Sequence, residues 1–184
     1  MKASLRSVPL LADFDHPIEM LAACHERIEA QCETLQRLSL HLPQHGADEQ
    51  ARQAASAVMR YFDTAGRHHQ DDEEQDLFPQ LVAAARGENG YRVALLVARL
   101  KREHAEIEKA WLALRDRLKR IAIGEHAVVD ELTVSLFASA YRDHIAIEEA
   151  NLFPLAEMLL VPAQLAKLGR RMARRRGQKP SAQP

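Results

Sequence analysis

Apolar residues recur at three- and four-residue spacing in four long runs of this chain, the period of amphipathic helices. The first predicted helix starts at Asp15 or His16, with Pro17 at the first helical position, and ends about Leu42, before Pro43 and Gly46. Its stripe is Leu21, His25, Ile28, Cys32 and Leu35. The second spans about Asp48 to Ala85, with Val58, Phe62, Ala65, His69, Glu73 and Leu77 on one face. Pro79 falls inside it and is expected to kink it or end its regular part. Gly87, Asn89 and Gly90 predict a turn. The third helix, about Tyr91 to Ile123, carries Val93, Val97, Leu100, His104, Ile107, Trp111, Leu114, Leu118 and Ile121, and Gly124 stops it. The fourth, about Val128 to Leu160, carries Leu136, Phe137, Ala140, His144, Glu148, Leu152 and Leu155, with Pro154 as the counterpart of Pro79. Short connections make successive helices antiparallel neighbours, so the expected fold is all-α. It is an up-down-up-down four-helix bundle over residues 12–160, with an N-terminal arm at 1–11 and a basic helix or tail at 161–184.

Every stripe is interrupted by a histidine: His25, His69, His104 and His144. Two of these begin the same pattern. Residues 69–79 read HQDDEEQDLFP and residues 144–154 read HIAIEEANLFP, and the match extends upstream to Phe62 and Phe137, Ala65 and Ala140, Arg67 and Arg142. In each copy a Glu follows the His by four residues, which puts imidazole and carboxylate on one face of a helix. His104 and His144 lie at similar distances from the turn at Gly124, as do Glu73 and His104 from the turn near Gly87, so these groups are expected at one height. The first loop is expected to absorb a less even placing of His25 and His69.

A core holding those imidazoles and carboxylates without compensation costs several kcal/mol for each unpaired carboxylate, and no Lys or Arg in the stripes is placed to neutralise one. Bound metal resolves this. Imidazole with carboxylate suits iron, manganese or zinc, and the absence of thiolates argues against structural zinc. The expected ligands are His25, His69, Glu73, His104, His144 and Glu148, in a dinuclear centre bridged by Glu73 and Glu148. Helix adjacency in the expected topology pairs His25 with His144 on one metal and His69 with His104 on the other. No Glu-x-x-His occurs, which excludes the ferritin-like ligand pattern, and no His-Glu-x-x-His, which excludes the zinc protease one.

On these residues, together with Leu77-Phe78-Pro79 and Leu152-Phe153-Pro154, the sequence resembles the hemerythrin-like, or HHE cation-binding, family. The resemblance implies an oxo- or hydroxo-bridged non-haem centre of two Fe ions, with activities spanning O2 binding, sensing of oxygen or iron, and handling of nitric oxide. Oxygen-carrying hemerythrins have a second histidine four residues after the first in helix three and an aspartate in helix four. Glu108 and Glu148 stand there in this chain, which argues against reversible O2 carriage. The four-His, two-Glu set is more similar to the domain of bacterial iron-centre repair proteins, whose cysteine-containing N-terminal domain has no counterpart in this sequence.

Composition sets the remaining expectations. With 47% apolar and 28% charged residues, and no run apolar enough for a signal peptide or a membrane span, the chain reads as globular and cytoplasmic. Cys24 and Cys32, roughly 12 Å apart by helical rise, read as unpaired core residues. The net charge of −1 conceals seven basic residues between Lys167 and Lys179 with no acid among them, so the body is acidic. That basic run reads as a solvated helix end, ahead of a partner-docking element or an anion or nucleic-acid contact. Asp71, Asp72 and Asp76 read as a solvated face, Glu74 and Glu149 as exposed or supporting the ligands, and Glu108 as a conditional ligand. His16 reads as a helix cap, His68 as surface, and His41, His45 and His126 as loop residues. Gly66 stands where the other copy has Tyr141, which suggests space that Tyr141 or a ligand fills. The expected function is binding or sensing of a small diatomic molecule or iron, with a redox or signalling protein as partner and neither membrane nor nucleic acid. A di-iron enzyme acting on nitric oxide or peroxide, or an iron donor, is the alternative. An enzyme would need a separate electron donor, since no flavin, haem or iron–sulfur motif is found.

Overall fold

The computed structural model describes residues 13–178, and these fold into five helices. Helix α1 is Pro17–His45, α2 covers residues 49–84, α3 is Gly87–Ala122, α4 covers residues 131–159, and α5 is Pro162–Arg175. The arm expected at 1–11 and the last residues of the tail lie outside the described residues. Asp48 caps α2 by accepting the Ala51 N–H at 2.8 Å, and Asp130 caps α4 by accepting the Thr133 N–H at 2.8 Å. Helix α1 does not stop at Leu42. Pro43 removes one backbone donor near the helix end, and the helix closes at Gly46, whose φ of 63° suits a residue without Cβ. This extension leaves His25 and His69 each roughly 20 residues from the first loop, so they reach the same height. Helix α3 opens at Gly87 rather than Tyr91, with Asn89 and Gly90 inside its first turn.

Neither Pro79 nor Pro154 ends its helix. A proline in mid-helix lacks the N–H for the bond four residues back and crowds that carbonyl. Here the preceding turn widens instead: Phe78 N–H bonds the Glu73 carbonyl and Phe153 N–H that of Glu148, five residues back. These π-turns, Glu73–Leu77 and Glu148–Leu152, begin at the repeated glutamates. A third, Phe62–Gly66, lies upstream in α2.

Helix α1 packs beside α2 and α4, and α3 beside the same two helices. Two apolar clusters result. One holds Ile28, Phe62, Ile107, Trp111 and Phe137, and the other Leu21, Leu77, Leu100, Leu152 and Phe153. Each stripe histidine falls between a residue of one cluster and a residue of the other, so a polar layer separates two dry halves of the core.

Helix α5 lies across α1 and α2 and adds Leu168 and Met172 to the second cluster. Gly169 sits so close to the Phe14 carbonyl oxygen that a Cβ would come within 1.8 Å of it. Three residues of the basic run, Arg171, Arg175 and Arg176, do not simply end a solvated helix. Arg175 reaches Asp72 and Asp76, Arg176 holds Asp72 at 2.7 Å, and Arg171 pairs with Asp76. Asp72 and Asp76 are correspondingly buried, which corrects their reading as a solvated face. The reversal has one cause: the last helix, α5, covers that side of α2, which the acidic periodicity of α2 alone does not reveal. Lys167, Arg170 and Arg174 remain exposed.

Candidate metal centre

All of the expected ligands come together. His25, His69, Glu73, His104, His144 and Glu148 are each no more than 5% exposed. They form two groups of four donors, and the groups share both carboxylates. In one group His25 Nε2 lies 3.1 Å from Glu148 Oε2 and His69 Nε2 lies 3.3 Å from Glu73 Oε1. In the other, His104 Nε2 lies 3.3 Å from Glu73 Oε2 and His144 Nε2 lies 3.1 Å from Glu148 Oε1. The histidines therefore pair as His25 with His69 and His104 with His144, with ring centroids 4.9 and 4.5 Å apart. This corrects the pairing expected from helix adjacency. Helix α1 touches both α2 and α4, so adjacency does not choose between His69 and His144; the rotation of each helix about its axis does.

The outward ring nitrogens decide what the inward ones can do. His25 Nδ1 lies 3.1 Å from Glu149, His104 Nδ1 2.7 Å from Glu74, and His144 Nδ1 2.9 Å from Glu103. A carboxylate at Nδ1 favours, in the neutral ring, the tautomer with its proton there and a lone pair on Nε2, the arrangement in which imidazole binds metal. A neutral Nε2 has no proton to give the carboxylate it faces, so lone pair meets lone pair. Accordingly, His25 Nε2, His144 Nε2 and all four oxygens of Glu73 and Glu148 are buried without a hydrogen-bond partner. Cations placed between the donors would compensate such a layer, and each group offers two imidazoles and two carboxylate oxygens. His69 differs, since its buried Nδ1 has no partner.

Without a cation the two carboxylates are driven apart. Burial and the Glu148 charge push Glu73 up to about 7. Burial acts on Glu148 too, but in that metal-free state protonation of the His144 and His25 rings that face it outweighs burial and holds the carboxyl below its usual range.

The Leu-Phe-Pro elements form an apolar floor beneath the layer. Phe153 stacks on His25 with centroids 5.3 Å apart, and Phe78 on His104 at 6.0 Å. Together with buried Leu77 and Leu152 they keep one side of the layer dry.

A profile of the hemerythrin HHE cation binding domain matches residues 16–156. The chain belongs to the hemerythrin HHE family. A relative from Haemophilus influenzae, described as "Uncharacterized protein", is 32% identical over 165 residues, covering 90% of this chain and 92% of its own length. In this hemerythrin-family chain the matched region contains every residue of the buried layer.

The other residues singled out from sequence sort as follows. Glu74 and Glu149 support ligands, as the second of their two readings held. Glu103 also does so and was missed, because it reaches across to α4 and follows no spacing within α3. Glu108 stands outside both groups, bonded to Arg67 at 3.2 Å. His16 occupies the cap position of α1 without capping it; the ring bonds Asp13 at 2.9 Å and is exposed. His68 is half-buried and outside the layer. His41 and His45 belong to α1, not to a loop. Space beside Gly66 is taken by Phe62, whose ring would lie 3.2 Å from an added Cβ. Tyr141 stacks on Phe62 at 5.6 Å and lines a cavity of about 200 Å³ with Cys32 and Arg142. Cys24 and Cys32 are buried and unpaired. Among the described residues no helix is long and apolar enough to cross a membrane.

Proposed function

We propose that this is a non-haem di-iron protein that binds or senses a small molecule, namely O2, nitric oxide or iron itself. The observation that carries the reading is the sharing of both carboxylates by two four-donor groups, a plan for two ions and not for one. His25 and His69 would hold one iron and His104 and His144 the other, with Glu73 and Glu148 contributing a carboxylate oxygen to each. An iron pair bound there supplies open coordination positions and one-electron redox chemistry. The chain's own contribution is to orient the imidazoles through Glu149, Glu74 and Glu103 and to exclude water with Phe78 and Phe153.

The scaffold fits that role as an up-down-up-down antiparallel bundle of α1 to α4, with α5 as a basic C-terminal helix. Sensing is preferred to turnover because the sequence carries no motif for an electron-delivering cofactor. We place the protein in the cytoplasm with a redox or signalling protein as partner.

Elemental analysis of protein made with ample iron tests the centre, and two irons per chain are expected from the two donor groups. One zinc per chain, unchanged by iron supplementation, would overturn it. The optical spectrum of the reduced protein should change on exposure to O2 or nitric oxide. Silence toward both gases, combined with ready iron exchange, would assign the protein to iron handling instead.

A further inference from the structure

We propose that His41, His45 and Asp48 form a second, surface site for a borderline divalent transition ion such as zinc. The site closes the connection between α1 and α2. His41 and His45 are four residues apart in the last turns of α1, on one face of the helix. Their rings stack with centroids 4.3 Å apart. Gly46, with φ of 63°, then turns the chain back so that Asp48 Oδ2 comes 3.0 Å from His41 Nε2. One donor atom from each of the three residues lies within 4.8 Å of the others.

The carboxylate is already oriented. Its Oδ1 accepts the Ala51 N–H, which leaves Oδ2 for the histidine side. That backbone bond also holds Asp48 below the usual carboxylate range, so the group is charged at neutral pH. Two imidazoles and one carboxylate favour zinc-like ions over magnesium or calcium, which prefer oxygen donors. His45 is exposed and Asp48 partly so, which leaves the remaining coordination positions to water. Helical rise puts His41 roughly 24 Å along α1 from His25, so the site is independent of the buried layer and of the reading given to it. An ion bound there ties the end of α1 to the start of α2 and stabilises the fold by mass action.

The test is zinc titration of the iron-loaded protein by calorimetry, with iron content measured before and after. Wild type is expected to bind one zinc without losing iron. His45→Ala and Asp48→Asn, the latter still able to cap α2, should weaken binding roughly tenfold or more while helicity by circular dichroism is retained. His45→Cys should restore it, because thiolate is a good zinc ligand. Zinc binding that displaces iron, absence of zinc binding to wild type, or unchanged affinity in His45→Ala would overturn the proposal.

Discussion

Glu73 and Glu148 divide their four carboxylate oxygens between the same two pairs of imidazoles, each oxygen 3.1 to 3.3 Å from one Nε2. Neither glutamate belongs to one group alone. Loss of either should therefore affect both ions, whereas loss of one histidine pair should affect one.

Glu73→Ala and Glu148→Ala are accordingly expected to lose both metals. The double variant His25→Ala/His69→Ala should keep one, held by His104 and His144. Metal analysis of purified variants checks this. Retention of one metal by His25→Ala/His144→Ala, but not by His25→Ala/His69→Ala, would reinstate the pairing expected from helix adjacency.

Glu103→Gln removes the charge beside His144 Nδ1 but keeps an acceptor oxygen. Outer partners of metal-bound histidines are worth about 10- to 100-fold in affinity. The variant should release metal to a chelator faster than wild type while unfolding at a similar temperature in the metal-free state.

Gly169→Ala places a methyl group against the Phe14 backbone oxygen, which has no side-chain rotamer with which to escape. Helix α5 must shift. Overpacking of this kind costs about 1–3 kcal/mol, so thermal unfolding should begin several degrees lower. An unchanged midpoint would mean that the segment around Phe14 moves away freely.

Arg175→Ala leaves Asp72 and Asp76 with fewer cations in a buried setting, where burial already pushes the Asp72 carboxyl up. Arg171 and Arg176 remain as partners, so the loss should stay at or below about 3 kcal/mol. Urea unfolding measures it. A surface arginine with no such role, for example Arg92→Ala, should change stability by less than about 0.5 kcal/mol.

The Asp63 carboxylate gains hydrogen bonds from Arg115 and Trp111, and the Arg115 bond is the main reason it is held below the usual carboxylate range. A carboxyl that is more acidic in the folded state contributes stability above its unfolded pKa and loses it as pH falls through the folded value. Asp63→Asn should thus be less stable than wild type near neutral pH, by about 0.5–1 kcal/mol for a partly exposed pair. The gap should narrow below about pH 4. A gap of constant size from pH 7 to pH 3 would assign the effect to packing instead.

The sequence alone determined the helices and the six ligand candidates, because both follow from a short-range rule. A helix repeats every 3.6 residues, so His69 and Glu73, or His144 and Glu148, share a face wherever that helix goes. The common height of Glu73, His104 and His144 could be read from their distances to the turns on the expectation of antiparallel neighbours, whereas that of His25 with His69 needed the longer α1. Tertiary structure decided everything that depends on how one helix is rotated or covered by another. It joined His25 to His69, brought Glu103 to His144, and laid α5 over Asp72 and Asp76. It also decided how the two prolines end the regular part of their helices, through wider turns opening at Glu73 and Glu148. No local periodicity encodes these outcomes, because packing free energy summed over both apolar clusters selects the rotation of each helix, and the polar contacts follow from it.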